Sequence, residues 1–513
     1  MNDWKVQAKL KLVKNLYFIN MRTVLFFFLF AVHITLNCQN SFELTIATDE
    51  YEELIYGTED NNNCVVLAGR IGSFITEDWD PYLLKVYPNG DTLSRRIFTP
   101  GTNDYFTSIE ILEDNNYLFI GNIASDTTPL HKSLYVCKMD TALNIIFEKS
   151  YDLSTDFYFG FNFFKSCIDF DQNIILGGAA LYNVDNRIYH PDFSFAKLNQ
   201  QGDTLLTKTI HFVLVQEFKD IIAIPGTKDY MCMGGLVEGQ ECQIRLDSIF
   251  NILEINPYYT NLGQPYSMKW INDTSYLLTS QRNTFTKNPS DIGMYILDTN
   301  FNYLNQLRVG KPDTNDYPAV RQSIGYVNDT TIYIGGMEVF IGFWQTIPNA
   351  LELYVVDRDL NLLGYKEFGD GWANYRLWGI LPTSDMGCML YATEYSEDNY
   401  YEYDVKIIKV RREDIEIETS PITSVVKLNY PVLCNSYPNP VKSMLNIPMF
   451  ESASLAGCRL QIFNSGGKII TDRALQGYGN TLQVNVSNLN PGIYVFNIVT
   501  KDYNKLTGKF IKQ

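Results

Sequence analysis

Tyr230-Met231-Cys232-Met233-Gly234-Gly235 is a short apolar run that closes on small residues, and runs of this kind recur along the chain. The others are Cys64-Val65-Val66-Leu67-Ala68-Gly69, Tyr117-Leu118-Phe119-Ile120-Gly121, Ile174-Ile175-Leu176-Gly177-Gly178, Tyr276-Leu277-Leu278-Thr279-Ser280, Ile332-Tyr333-Ile334-Gly335-Gly336 and Gly387-Cys388-Met389-Leu390-Tyr391-Ala392. Their spacing is roughly 54 residues, a period that belongs to repeat architectures. Each is rich in β-formers, too short for a helix and bounded by turn residues, so each reads as a strand.

A second strand type follows in every unit: Tyr82–Val86, Leu134–Asp140, Phe195–Asn199, Gln243–Asp247, Met294–Asp298, Leu353–Asp357 and Val405–Lys409. In six units a turn of Asn, Asp and Gly comes next, as in Pro88-Asn89-Gly90-Asp91 and Arg358-Asp359-Leu360-Asn361. These residues tolerate positive φ or bond their own backbone. A bulkier outgoing arm such as Ile145–Lys149 completes the hairpin. Four antiparallel strands per unit, with no amphipathic helix of useful length, predict an all-β chain: a seven-bladed β-propeller over residues 39–412. The small residues ending the repeated strand suit crowded packing between blades. The pattern resembles the divergent propeller repeats of secreted bacterial proteins. A stack of β-sandwich modules is the alternative, but it asks for units of roughly 90 to 100 residues.

The last eighty or so residues have a different character. They run through Tyr437-Pro438-Asn439-Pro440, Met444–Ile447, Leu460–Lys468 with Gly467 and Lys468 in its turn, Val484–Leu489, Gly492-Ile493-Tyr494-Val495, and Lys509–Gln513 with Lys512. Alternating apolar residues between turns predict a small immunoglobulin-like β-sandwich over 434–513. Patterning alone does not separate it from an adhesion module of the same shape. The ordered motifs, ending at the final residue, resemble the type A C-terminal sorting domain of the type IX secretion system of Bacteroidetes. The resemblance implies Tyr437, Pro438, Asn439, Pro440, Gly467, Lys468, Gly492, Tyr494, Lys509 and Lys512 as sorting residues. It also implies the type IX machinery and its sortase as partners, a secreted or outer-surface location, and release or attachment to surface lipopolysaccharide after cleavage.

The N-terminus agrees with export. Met21-Arg22 precedes Val24–Val32, a short apolar stretch of signal-peptide type. Residues 1–38 are expected to be removed, with Met21 as the start and cleavage near Cys38–Gln39; a lipidated Cys38 is the alternative. Charge is partitioned. The chain carries −17 overall, whereas residues from Ser436 onward hold eight basic and three acidic side chains. The stretch between is strongly acidic, which disfavours nucleic acid and anionic lipid. Residues 413–433, polar and proline-bearing, read as a linker. Nine cysteines lack metal-type spacing. Cys232 with Cys242, and Cys434 with Cys458, are candidate disulfides; buried free thiols are the competing reading.

Catalytic signatures are thin. Four histidines, His33, His131, His190 and His211, have no paired spacing, which disfavours a histidine zinc site or general base. No catalytic or metal-ligating set is expected. Asp140, Asp247, Asp298 and Asp357 stand just before hairpin turns and are expected to stabilise them. The one cofactor left open is calcium, held through Asp49–Glu53 or Glu77–Asp80. Asp370, Trp372 and Tyr375, with Trp79, Trp270, Trp344 and Trp378 among the other aromatics, are ligand-binding candidates for a glycan; blade packing is the competing reading. The favoured function is a non-catalytic binding or adhesion module whose partner is a surface glycan, a peptide or a surface protein. A glycosidase with two carboxylates on one propeller face is the alternative.

Overall fold

The structure is a computed structural model. It describes residues 41–513 apart from 74–75, 77, 99–101, 126–127, 154–157, 185–186, 212–214, 237–239, 259–262, 283–289, 312–313, 340–348, 396–402, 416–431, 434–435, 449–458, 465–467, 476–480 and 500–504. The expected signal peptide and most of the expected linker lie outside the described residues.

Strand β1 (Phe42–Ile46) is the first among the described residues. The first sheet is β2 (Tyr51–Glu59), β3 (Val65–Ser73), β4 (Asp78–Val86) and β5 (Thr92–Ile97). The second is β6 (Thr102–Ile111), β7 (Tyr117–Ser125), β8 (Thr128–Met139) and β9 (Ile145–Tyr151). The third is β10 (Tyr158–Ile168), β11 (Ile174–Val184), β12 (Arg187–Leu198) and β13 (Thr204–His211). The fourth is β14 (Val215–Ala223), β15 (Tyr230–Leu236), β16 (Gln240–Leu246) and β17 (Ile252–Tyr258). The fifth is β18 (Gln264–Asn272), β19 (Ser275–Arg282), β20 (Asp291–Asp298) and β21 (Tyr303–Val309). The sixth holds β22 (Asn315–Pro318) and β23 (Ile324–Asn328), which share one edge of β24 (Thr331–Val339), followed by β25 (Leu351–Val356) and β26 (Leu362–Phe368). The seventh is β27 (Asn374–Pro382), β28 (Cys388–Tyr395) and β29 (Asp404–Val410), and its fourth strand is β1. All neighbours within these sheets are antiparallel, and β1 pairs Phe42 with Lys409 through Ile46 with Val405.

The repeated strands are β3, β7, β11, β15, β19, β24 and β28. Each holds an apolar run that does not alternate, because both faces of each sheet are covered there. Val66 and Ala68 pack toward the second sheet, whereas Val65 and Leu67, on the opposite face, pack toward the seventh. Further cores join the second sheet to the third, the third to the fourth, and so on to the seventh. The small residues at the strand ends have two causes. A Cβ on Gly178 would collide with the Asn162 carbonyl, brought close by a bulge in β10. A Cβ on Gly335 would collide with Ile380 of the next sheet.

The hairpin aspartates hold turns. Asp140 Oδ1 accepts the Ala142 and Asn144 N–H groups at 2.9 and 2.8 Å, and Asn144 Nδ2 donates to Asp140 Oδ2 at 3.0 Å. Asp247, Asp298 and Asp357 do the same with Asn251, Asn302 and Asn361. The residue before each asparagine has positive φ yet is apolar and buried: Leu143, Phe250, Phe301 and Leu360. Phe250 stacks on Phe195 of the preceding sheet at 5.2 Å. The side-chain staple thus supports a left-handed conformation that a bulky residue resists.

Polar ties cross between sheets as well. Asp60 Oδ2 takes Lys85 Nζ at 2.8 Å and the Tyr117 hydroxyl at 2.6 Å, and Lys85 also donates to the Thr141 carbonyl at 2.7 Å. Asp169, Lys197, Tyr230 and the Ser248 carbonyl repeat the arrangement between the third and fourth sheets. The proposed Cys232–Cys242 disulfide is not formed: both are buried free thiols. Register explains it, since Cys242 stands opposite Gly234 and Cys232 opposite Ile244. Cys434 and Cys458 lie outside the described residues.

At the C-terminal end, β30 (Val432–Leu433), β36 (Lys505–Lys512), β35 (Gly492–Val499), β32 (Arg459–Asn464) and β33 (Ile469–Ala474) form one sheet in that order. β31 (Met444–Pro448) pairs with β34 (Thr481–Asn485). Leu445, Ile447 and Val484 from the pair, and Leu460, Ile462, Phe496 and Phe510 from the sheet, share one core.

Candidate functional site

Inner strands of several sheets meet around a cavity of about 350 Å³. Tyr56 comes from β2, Lys165 to Ile168 from β10, Asp220 to Ala223 from β14, Ser267 to Trp270 from β18, and Arg321, Gln322 and Ile324 from the sixth sheet. Each polar residue interrupts an apolar strand, as in Phe163-Phe164-Lys165-Ser166 and Ser267-Met268-Lys269-Trp270. A strand buried on both faces tolerates such residues only where a partner or a cavity receives them.

Asp220 is the single carboxylate in the lining. Its Oδ2 accepts the Met268 N–H at 2.8 Å and its Oδ1 lies 3.7 Å from Lys165 Nζ. Burial raises the Asp220 pKa, against Lys165 and the two backbone donors. Burial likewise lowers Lys165, with Asp220 opposing and Arg321 and Lys269 adding to the shift. Lys165 also donates to the Arg321 carbonyl, which takes the Ser267 hydroxyl at 2.9 Å. Arg321 lies over the Phe164 ring, 5.1 Å from its centroid. Gln322 braces the wall: its Oε1 accepts the Gly57 N–H at 2.9 Å and its Nε2 donates to the Gly57 carbonyl at 3.2 Å. Lys269 is different. It lies along the cavity, burial lowers its pKa against the pull of Asp220, and it forms no salt bridge among the described residues. The lining therefore carries three basic side chains and Asp220, with Glu110 behind Ser166, in a strongly acidic chain. Walls of low dielectric focus such a field.

The candidates expected from sequence are not brought together. Trp372 is 82% exposed, whereas Tyr375 is 4% exposed and belongs to the core between the sixth and seventh sheets. The Asp370 carboxylate is engaged by the Trp372 and Ala373 N–H groups at 2.8 and 3.0 Å, which fixes the turn. Trp79 packs on Tyr51 and Arg70, and Trp378 donates to Thr393, so both serve packing. Trp344 and Glu77 lie outside the described residues. In the first loop considered for calcium, Glu52 and Glu53 are paired with Arg95 and Arg70, each at 2.7 Å. His211 faces Asp192 at 2.8 Å. Sequence reasoning missed Lys165, Asp220, Lys269 and Arg321; the available signal was a charge inside an apolar strand.

The sorting residues divide by role. Asn439 Nδ2 donates to the Lys509 carbonyl at 3.2 Å, and Asn439 Oδ1 accepts the Ile511 N–H at 2.8 Å. Tyr437 exchanges backbone bonds with Asn446 at 2.9 and 2.7 Å. The Tyr437–Pro438 and Asn439–Pro440 peptides are cis. Tyr494 is core, stacked on Phe510 at 5.4 Å, with its hydroxyl on the Asn490 carbonyl at 2.9 Å. Gly492 begins β35, Lys468 closes the hairpin on Asn464, Lys509 is exposed, and Lys512 is largely buried. Gly467 lies outside the described residues.

Residues 435–513 match the secretion system C-terminal sorting domain family. The chain is a type IX secretion substrate, carried to the cell surface or beyond. No curated protein matches it. Among solved structures it is similar to a chain of a mitotic checkpoint complex, at 10% identity and TM-score 0.42, covering 72% of this chain and 91% of that one. It is also similar to Pyrococcus horikoshii acylaminoacyl peptidase, at 10% identity and TM-score 0.38, covering 80% and 59%. A third is a puromycin hydrolase, at 9% identity and TM-score 0.44, covering 76% and 58%. This chain thus spans under two thirds of the peptidase and of the hydrolase. Likeness at this level assigns no activity.

Proposed function

We propose that the passenger, residues 39–412, is a closed seven-bladed β-propeller that binds the acidic end of a glycan in its central cavity without chemistry. Linker 413–433 joins it to the small sandwich of the sorting domain, 434–513. After export the sortase removes that domain, and the passenger is released or fixed to surface lipopolysaccharide. The cyclic order of the cores supports closure: the seventh sheet packs on the first as each packs on the next. One observation carries the ligand class. Lys269 stands in no salt bridge among the described residues, with Asp220 as the carboxylate that acts on it, in a cavity that also holds Trp270 and Arg321. Cations with an aromatic surface suit a carboxylated or sulfated sugar. A glycosidase needs two carboxylates at a set separation, and this lining offers Asp220 alone.

The test is a binding screen of the whole secreted chain against acidic and neutral glycans. Lys269→Gln is expected to weaken acidic-glycan binding at least tenfold while the fold is kept. Binding that ignores the substitution would place the ligand elsewhere, and preference for acidic peptides would change its class. Turnover lost in Asp220→Asn would establish an enzyme instead.

A further inference from the structure

Four carboxylates converge in the sixth sheet and its neighbour. Asp316 of β22 stands opposite Glu338 of β24, and Glu352 of β25 stands opposite Gly336, two residues from Glu338 on the same face. One oxygen from each of Asp316, Glu338 and Glu352 lies within 4.8 Å of the other two. Asp291, at the start of β20, approaches Asp316 over Gly310, where a Cβ would collide with both carboxylates. Asp316 and Glu352 are fully buried, and Asp291 and Glu338 nearly so.

The cations nearby are too few. Lys311 Nζ bonds Glu338 at 2.6 Å and Glu367 at 2.5 Å, and Arg308 pairs with Asp291. No ion pair reaches Glu352 among the described residues. Its Oε1 accepts the Tyr365 hydroxyl at 3.1 Å, and its buried Oε2 meets no donor. That oxygen lies 3.5 Å from where a Cβ on Gly336 would stand. The missing Cβ at Gly310 lets Asp291 and Asp316 approach each other, and the missing Cβ at Gly336 makes room for Ile292 beside Glu352 Oε2.

We propose that this cluster, into which the unpartnered Glu352 Oε2 projects, binds a hard divalent cation, calcium foremost, through Asp316, Glu338 and Glu352. The ligand set is all oxygen, with no histidine or cysteine, which suits calcium rather than a transition metal. A charge of two offsets most of the local excess of carboxylate. Calcium accepts irregular sets of six to eight oxygens, whereas magnesium requires near-octahedral geometry. The ion would tie β22, which is separated from β23, to β24 and β25. It is a structural site, distinct from the cavity.

The experiment uses the whole chain, freed of metal by chelation. Terbium is added, with luminescence excited through tyrosine, since Tyr365 bonds Glu352. We expect one terbium per chain, displaced by calcium, and a midpoint of thermal unfolding raised several degrees by millimolar calcium and less by magnesium. Glu352→Gln is expected to abolish both effects. If that variant does not fold, Glu338→Gln takes its place. The absence of both luminescence and a calcium shift in the parent chain would overturn the proposal, as the carboxylates would then be held by protons. An equal calcium shift in Glu352→Gln would overturn it too, by placing the ion elsewhere.

Discussion

Lys85 shows how much one side chain can carry. It sits with Asp60 and Tyr117 where the first two sheets meet, at 3% side-chain exposure. Removing it leaves a buried carboxylate without its cation, so Lys85→Ala is expected to cost about 3–5 kcal/mol. Replacing the pair together, as Lys85→Met with Asp60→Leu, should recover much of the loss. Urea unfolding of the three chains measures this, and equal loss in single and double variants would contradict it. The sequence made the hairpin aspartates legible because their partners are four residues away. Lys85 was not legible, because its partners are 25, 32 and 56 positions distant. The same holds for the cavity: Lys165, Lys269 and Arg321 come from separate sheets and form no spaced motif.

At the scale of elements, the repeated strands were legible for a physical reason. Burial on both faces turns each into an unbroken apolar run. The turns that follow the next strand carry their own chemistry. Two features escaped. The inner strand of the sixth sheet is broken between Pro318 and Ile324, where Val320 and Arg321 bond instead to the carbonyls of Leu377 and Trp378. The seventh sheet takes its outer strand from β1, and five residues of mild alternation do not announce a partner at the far end of the repeats. Removing residues 41–47 should expose the edge of β29 and cost on the order of 3 kcal/mol from the lost packing of Phe42, Leu44 and Ile46. A synthetic peptide of the same residues should restore the unfolding midpoint when added in excess. If truncation leaves the midpoint unchanged, β1 is not part of the closure.

For the whole molecule, stability should peak in mildly acidic solution. Asp60 and Asp385 are pushed up by burial, but their lysine partners and hydrogen bonds more than reverse it and hold both below the usual carboxylate range. Their contribution is complete above the unfolded value and is lost as pH falls through the folded one, so stability drops below about pH 4. Glu52 and Glu110 behave oppositely. Burial raises each to about 7, against Arg95 and Ser166 respectively. The native chain then binds more protons than the unfolded one between about pH 4.5 and 7, and stability declines across that window. Unfolding midpoints from pH 3 to 8 should trace a maximum near pH 4 to 5; a maximum above neutrality would contradict these assignments. The clamp made by Asn439 carries a consequence of another kind. It holds the carbonyl of Lys509 and the N–H of Ile511, so the opening of the export address is built against strand β36. A chain that loses β36 leaves the Asn439 side chain without these two partners. The address is thereby a fastened clasp, formed only once two segments 70 positions apart in the chain have met.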